Sequence, residues 1–204
     1  MPSPPSAAKP SMEKAIPTCI VGIGGSAGAL NAYKLLLDHL PVDTGMAFVI
    51  ISHMNPDAFS QLAQILSRHT NMPARVASAD MPIRANHVYV IPTNADLEVE
   101  QTKFKVTSPR SRRNAQIDLF FASIAETFRD RAIGVVLSGY GGDGIAGCKH
   151  IKEQGGITFA QDQTAEVDGM PVSAQASGFV DFVLPPDKIS AALLEIGARL
   201  PQSV

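Results

Sequence analysis

Runs of consecutive apolar residues, each about the length of a strand, alternate along this chain with segments of helical periodicity. The segment 46–52 reads Met-Ala-Phe-Val-Ile-Ile-Ser, and 132–137 reads Ala-Ile-Gly-Val-Val-Leu. A strand that is apolar on both faces must be covered on both faces, which is typical of parallel sheets between two layers of helices. The alternation therefore predicts an α/β fold: a doubly wound, mostly parallel sheet with helices on both faces.

The same patterns predict where the individual elements lie. Strands of the parallel sheet are expected at 18–23, 46–52, 73–77, 132–137, 157–160 and 178–184. Helices are expected at 27–40, 59–69, 115–129, 145–153 and 186–200. Three short runs at 87–91, 97–100 and 104–106 are separated by turn residues, and they predict a small antiparallel excursion from the main sheet.

Charge and cysteine content exclude several classes of protein. The chain has 204 residues with 17 Lys plus Arg and 19 Asp plus Glu. A protein that binds nucleic acid mainly through electrostatic attraction carries a large excess of basic residues, so this class is excluded. The 2 cysteines cannot form a disulfide framework, so a reducing, cytoplasmic location is expected. No apolar run approaches the roughly 20 residues of a membrane helix, so no membrane insertion is expected. The Pro- and Ser-rich segment 1–16 predicts a flexible tail before one domain over 17–204.

Three polar segments follow predicted strands at the edge where parallel sheets bind ligands: 22–28, 52–54 and 138–144. The first contains Gly-x-Ser-x-Gly around Ser26, the pattern of a turn that lifts a nucleophilic serine above the sheet. Its glycines also permit a dinucleotide-binding turn, but that interpretation expects an acidic residue after the second strand, where His53 stands. A simple strand-to-helix turn with a capping serine remains a third interpretation.

His53 and Asp143 are candidates for the groups that would activate Ser26. A serine hydroxyl needs a base within hydrogen-bond reach, and His53 is the histidine that ends a strand predicted to neighbour the first. The base needs an acceptor to fix its tautomer, and Asp143 lies in a Gly-rich turn at the same edge. A surface histidine and a helix-capping aspartate remain the alternatives. One carboxylate among glycines is a poor metal site, so neither a metal nor a cofactor is expected.

These segments together resemble the catalytic domain of the chemotaxis protein-glutamate methylesterase family (CheB type). The matching features are Gly-Gly-Ser-Ala-Gly at 24–28, the histidine after the second strand, Gly-x-Gly-x-Asp-Gly at 139–144, and Gly-Met-Pro at 169–171 followed by Val-Leu-Pro at 183–185. The resemblance runs from about residue 19 to residue 194. It implies Ser26 as nucleophile, His53 as base and Asp143 as the group that orients the base. It also implies hydrolysis of glutamyl methyl esters on chemoreceptor helices, often with deamidation of receptor glutamines.

The sequence departs from the family pattern at several positions that bear on substrate preference. Tyr140 stands where the family commonly has Met, Ala-Gln-Ile-Asp at 115–118 replaces Pro-Ser-Val-Asp, and 53–57 differs from the usual His-Met-Pro-Pro. The candidates for holding the oxyanion or the substrate are Ala27, Tyr140, Gly141 and Met170. The residues before the first strand are too few for the receiver domain that such enzymes usually carry, so none is expected.

The expected partners are the methylated cytoplasmic helices of chemoreceptors, with a methyltransferase or a sensory kinase as a further candidate. A basic segment at 110–113, near Lys103 and Lys105, could dock an acidic receptor helix or could be a solvated turn. Two other functions remain open at this point. One is a non-catalytic signalling module of the same fold, and the other is a nucleotide-binding oxidoreductase.

Overall fold

The structure is a computed structural model that describes residues 16–53 and 61–199. The strands within those residues are β1 Ile20–Gly25, β2 Ala47–Ser52, β3 Ala74–Val76, β4 His87–Val90, β5 Asp96–Glu100, β6 Lys103–Thr107, β7 Ala132–Val136, β8 Ile157–Gln161 and β9 Phe182–Leu184. The α-helices there are α1 Ala29–Asp38, α2 Leu62–Leu66, α3 Gln116–Phe128, α4 Ile145–Glu153, α5 Gly169–Ala176 and α6 Pro186–Arg199. The predicted tail lies, apart from its last residue, outside the described residues.

The central sheet has seven strands in the order β3-β4-β2-β1-β7-β8-β9, and its neighbouring strands pair in parallel. The chain winds outward from β1 through β2 to one edge of the sheet, and then from β7 to the other edge. The direction of winding therefore reverses between β1 and β7. In open α/β sheets the crevice beside such a reversal, at the carboxyl ends of the strands, is where ligands bind.

Helices cover the sheet on both faces, as the continuous apolar runs predict. Alternate residues of β1 point to opposite faces: Ile20 belongs to the apolar cluster that contains Phe121 of α3. Val21 belongs to the opposite cluster, which contains Leu36 of α1 and Leu193 of α6. The prediction of a doubly wound sheet with two helical layers is thus confirmed.

One strand assignment made from the sequence is wrong. The run at 87–91 was expected in the antiparallel excursion, but β4 pairs in parallel with β2 and β3 and extends the main sheet. The two-strand antiparallel sheet is formed by β5 and β6 alone. The physical reason is burial, because all four residues of β4 are buried, as in a strand with helices on both faces.

The sequence also missed α5. This helix has eight residues and carries Pro171 in its first turn, where a missing backbone N–H leaves no intrahelical bond unmade. A helix this short has too few turns to show a clear apolar stripe, which is why periodicity did not reveal it. Within the described residues, no helix combines the length and the apolar character needed to cross a bilayer.

Candidate active site

Ser26 is the first residue after β1, in the turn that leads into α1. Its amide donates a hydrogen bond of 2.9 Å to the carbonyl oxygen of Ser138, which follows β7. Gly28 caps the amino end of α1 in the left-handed conformation, with φ of 73°. The turn is therefore tied to the neighbouring strand and leaves the Ser26 side chain half-buried at the carboxyl edge of the sheet.

His53 lies beside Ser26 because of the register between β1 and β2. Gly25 of β1 pairs with Ser52 of β2, so Ser26 and His53 are the next residues of two adjacent strands. Neighbouring strands lie about 4.8 Å apart, so the two side chains project from adjacent points of one edge. The His53 amide also donates to the Gly25 carbonyl oxygen over 3.4 Å.

Asp143 meets His53 from the turn between β7 and α4. Its Oδ2 lies 2.6 Å from Nε2 of His53, and the side chains of the two residues are 1% and 10% exposed, respectively. The same Oδ2 accepts the Ile117 amide at 3.1 Å, and Oδ1 accepts the Asp118 amide at 2.9 Å. Both amides belong to the first turn of α3. This buried carboxylate is thus held by three donors at a helix amino end, where the dipole favours negative charge.

The contact between His53 and Asp143 assigns the roles of the two ring nitrogens. An ionised carboxylate can only accept hydrogen bonds, so the shared proton belongs to Nε2. In the neutral ring Nδ1 then carries the free lone pair. The nitrogen available to take a proton from a nucleophile is therefore Nδ1.

The Ser26 hydroxyl makes no hydrogen bond to another residue within the described part of the chain. The structure therefore brings His53 and Asp143 into contact, while the expected bond from Ser26 to the base is not formed. Serine side chains rotate among three staggered positions, and catalytic hydrogen bonds often tighten only when substrate is bound.

The amides near Ser26 divide into engaged and available donors. The amide of Ser26 is engaged by Ser138, that of Ser138 by Oε1 of Gln161, and that of Gly139 by the Val167 carbonyl. In this arrangement the amides of Ser138 and Gly139 therefore cannot also donate to an oxyanion. The amides of Ala27, Tyr140 and Gly141 make no hydrogen bond within the described residues, and they remain the candidate donors.

Met170, the fourth candidate for an oxyanion or substrate contact, lies buried next to Gly139. Its side chain is 1% exposed, and its amide donates to the Gly139 carbonyl oxygen over 2.7 Å. A Cβ added to Gly139 would collide with the Met170 sulfur and lie 3.0 Å from the Ser26 Cβ. Met170 therefore packs beneath the turn that carries Gly139. Tyr140, by contrast, is 72% exposed beside the site.

Ser138 and Gln161 are structural members of the site that sequence reasoning missed. The Ser138 hydroxyl donates to the Ala27 carbonyl oxygen at 2.8 Å and accepts the Val167 amide at 2.9 Å. It thereby joins the Ser26 turn to the segment before α5. The position of Ser138, a polar residue directly after a buried strand, was the signal in the sequence that could have identified it. Its hydrogen-bond partners lie up to 111 positions away, so the sequence could not show what it binds.

Other chemistries find little support in the described residues. No three His, Cys, Asp or Glu side chains there are grouped to hold a metal ion. Burial raises the pKa of the Cys19 thiol to about 11 and that of Cys148 to about 12, so both remain protonated at neutral pH. A cavity of about 480 Å³ is not lined by Ser26, His53 or Asp143 but by residues that include Asp118 of α3 and Ala146 of α4.

The basic segment leads directly into the helix that holds Asp143. Arg112 and Arg113 are exposed, and Arg110 is half-buried. None of the three forms an ion pair with a described residue, whereas Lys105 pairs with Glu98 at 3.4 Å. Three arginines without an ion pair among the described residues therefore lie a few positions before the first turn of α3, although the charge of Arg110 also helps to lower the pKa of Asp96.

Comparison with known proteins gives concordant matches. Residues 21–193 match the family model described as CheB methylesterase. A putative protein-glutamate methylesterase/protein-glutamine glutaminase of Leptospira interrogans is 36% identical over 185 residues, covering 89% of this chain and 94% of that protein. A protein of Burkholderia pseudomallei with the same activities in its name is 34% identical over 199 residues, covering 96% of this chain but only 58% of the relative.

A solved structure is also similar along most of its length. The crystal structure of the Thermotoga maritima CheB methylesterase catalytic domain superposes with a TM-score of 0.80 at 29% sequence identity. The match covers 87% of this chain and 98% of that one.

Proposed function

This chain belongs to the CheB methylesterase family, and on that premise we propose that it removes methyl esters from glutamate side chains of chemoreceptors. We assign Ser26 as the nucleophile, His53 as the base and Asp143 as the group that orients the base. The observation that carries the assignment is the buried 2.6 Å contact of Asp143 with His53, the residue that follows β2 as Ser26 follows the adjacent strand β1. The site of action proposed is the cytoplasm, where the methylated helices lie.

The first half of the reaction forms an acyl-enzyme. Ser26 Oγ attacks the ester carbonyl carbon while its proton passes to Nδ1 of His53. Asp143 stabilises the resulting imidazolium through the proton on Nε2. The tetrahedral intermediate then collapses, the bond to the methoxy oxygen breaks, and Nδ1 returns the proton so that methanol leaves.

The second half regenerates the serine. A water molecule gives one proton to Nδ1 and attacks the acyl carbon, and Ser26 leaves with that proton. The product is a free glutamate side chain. In both halves the amides of Ala27 and of Tyr140 or Gly141 are proposed to bind the oxyanion, because the neighbouring amides are already engaged.

Deamidation of glutamine is part of the proposal. The relatives from Leptospira interrogans and Burkholderia pseudomallei are named for glutaminase as well as methylesterase activity. The same acyl-enzyme forms from a glutamine side chain when ammonia leaves in place of methanol. No further residue is required, since Nδ1 protonates either leaving group.

The substrate helix is proposed to dock beside the basic segment. Arg112 and Arg113 are exposed and form no ion pair among the residues that the structure describes, and they precede the α3 turn that binds Asp143. Receptor methylation helices are acidic in the family that this sequence resembles. Opposite charges would bring the ester to the carboxyl edge of the sheet. A methyltransferase or a sensory kinase is a further possible partner.

Methanol release from methylated receptor, by wild-type protein and by Ser26→Ala, tests the proposal. The variant is expected to lose at least about 10³-fold in turnover, because the covalent route disappears while binding and oxyanion stabilisation remain. A variant that kept more than a tenth of the wild-type turnover would remove Ser26 as nucleophile. Wild-type protein that released no methanol would favour a non-catalytic signalling module of the same fold.

A further inference from the structure

The side chains of Asp118 and Asp143 each accept hydrogen bonds from backbone amides at the start of the helix that the other belongs to or precedes. Asp143 precedes α4 and accepts amides from the first turn of α3. Asp118 lies in that first turn, and its Oδ1 accepts the Gly144 amide at 2.9 Å and the Gly147 amide at 2.8 Å. Each carboxylate therefore satisfies amides at the start of the other's helix, where no intrahelical acceptor exists.

The bonds from Asp118 hold the chain immediately after Asp143. Gly144 is the next residue and has φ of 101°, in the left-handed region that side chains other than glycine rarely adopt. Gly147 lies one turn further on, where an added Cβ would sit 2.5 Å from the Phe121 Cβ and 3.1 Å from the Asp118 Cα. The two helices thus approach very closely at the point where the carboxylates interlock.

We infer that Asp118 is a positioning residue for ester hydrolysis, whose carboxylate holds the 144–147 turn so that Asp143 stays aimed at Nε2 of His53. The inference rests on the proposed function, since it requires Asp143 to orient the base. A carboxylate that drifts by about 1 Å no longer fixes the ring, and a misplacement of that size can lower turnover about 10²-fold. Binding of a small ester does not depend on this contact, so KM is expected to change little.

The placement of Asp118 is unfavourable for its own charge. Burial raises its pKa above the usual value, and the charge of Asp143 raises it further, against the amides of Gly147 and Gly144. The charge of Asp118 beside the buried carboxylate of Asp143 is unfavourable for stability. A role in the site explains its presence better than stability does. The Asp118 side chain also borders the cavity of about 480 Å³, so a slightly longer side chain at this position has space to occupy.

Two conservative substitutions separate the position of the oxygen from the charge. Asp118→Asn keeps an acceptor at Oδ1 and loses the charge, and we expect kcat for a small neutral methyl ester within about 3-fold of wild type. Asp118→Glu keeps the charge but moves the oxygen by one methylene. We expect it to lower kcat about 10- to 100-fold with KM within about 2-fold.

Asp181→Ala is the matched control. Asp181 is also a partly buried carboxylate that accepts several bonds, from Lys152 at 2.5 Å and from Thr158 at 2.9 Å. Thr158 lies near the amino end of β8, at the edge of the sheet opposite Ser26. Asp181→Ala should therefore lower the free energy of unfolding and leave kcat unchanged at temperatures where the protein is folded.

A double-mutant cycle with Asp143→Asn decides whether Asp118 acts through Asp143. If it does, adding Asp118→Glu to Asp143→Asn lowers kcat by less than about 2-fold further. Independent, multiplicative losses would overturn the inference, as would wild-type kcat in Asp118→Glu or an equal loss in Asp181→Ala. If Asp143→Asn alone kept wild-type turnover, the proposed triad itself would fail. If Asp143→Asn lowered kcat while Asp118→Glu kept the wild-type value, the positioning role of Asp118 would be wrong and the proposed triad would stand.

The proton on His53 Nε2 supplies a readout that does not depend on turnover. A hydrogen bond to a buried carboxylate moves this proton resonance downfield. Asp118→Asn is expected to keep the resonance, and Asp118→Glu to shift it upfield or broaden it. An unchanged resonance in folded Asp118→Glu contradicts the positioning role.

Discussion

At the scale of single residues, the two oxygens of Asp143 are not equivalent. Oδ2 accepts from His53 and Ile117, and Oδ1 accepts from Asp118. Because both oxygens face N–H donors, no group other than an ionised carboxylate satisfies all three at once.

Asp143→Asn should therefore leave the fold intact and lower turnover by about 10³- to 10⁴-fold. If the new NH₂ group faces His53, the ring must protonate on Nδ1 and can no longer accept the Ser26 proton. If the NH₂ group faces Asp118, it opposes that residue's amide and the side chain rotates away. The measurement is kcat on a methyl ester, together with circular dichroism. Normal turnover in a folded variant would make Asp143 only a helix cap.

At the scale of secondary-structure elements, α3 and α4 form the frame of the site. The glycine at the closest approach of the two helices, Gly147, has Phe121 and Asp118 against its Cα. Any shift between the helices moves the amides that hold Asp143.

Gly147→Ala is expected to lower the free energy of unfolding by about 1–3 kcal/mol, because the added methyl would force two packed helices apart. Gly197→Ala in α6 is the matched control, since its new Cβ would meet the flexible end of Met46 at 3.1 Å. Alanine is favoured over glycine in a helix by about 1 kcal/mol, so the control should be neutral or slightly stabilising. Urea titrations of both variants would compare them, and equal effects would contradict the close-packing argument.

The Asp181 carboxylate links α4 to β8 by accepting hydrogen bonds from Lys152 and Thr158, and we expect it to make the stability of the fold sensitive to acid. Burial alone would raise the pKa of Asp181, but hydrogen bonds from Lys152 and Thr158 outweigh burial and hold the pKa below its usual value. A carboxyl whose pKa is lower in the folded state stabilises the fold at pH values above its unfolded pKa, about 3.9. That contribution is lost as the pH falls through the folded pKa.

Asp181→Asn should therefore reduce the dependence of the free energy of unfolding on pH between about pH 5 and the acid-unfolding limit. Denaturant titrations of wild type and variant at several pH values in that range would measure the difference. Identical slopes would mean that Asp181 contributes nothing to acid sensitivity.

At the scale of the whole molecule, a net charge of -2 conceals a local basic field. The arginines at 110, 112 and 113 form no ion pair with a described residue, and they lie on the connection into α3, whose first turn binds Asp143. Such a field accelerates association with an acidic partner, and salt screens it beyond about 8 Å at physiological ionic strength.

Raising salt from about 0.05 to 0.5 M should accordingly lower kcat/KM for methylated receptor more than for a small neutral ester. Replacing the three arginines with glutamine should flatten the response for the receptor. The two substrates are compared in the same salt series. If salt lowered kcat/KM equally for both substrates, or if the salt dependence for the receptor were unchanged in the triple variant, the segment at 110–113 would be only a solvated turn without a docking role.

The sequence by itself determined the architecture and the positions of the candidate groups. Runs such as 46–52 report that a strand is covered on both faces, and this local property is enough to imply a parallel sheet. Strand ends are marked by glycine-rich turns, so the common edge for Ser26, His53 and Asp143 followed from strand direction alone.

Only the tertiary structure decided which groups meet. His53 and Asp143 are 90 positions apart, and their contact through Nε2 depends on how α3 and α4 pack. The same holds for β4 in the main sheet, for the engaged amides of Ser138 and Gly139, and for the exchange between Asp118 and Asp143. Local patterns fix backbone conformation and burial, whereas a hydrogen bond between distant segments is set by the packing of whole elements, which no single stretch of sequence encodes.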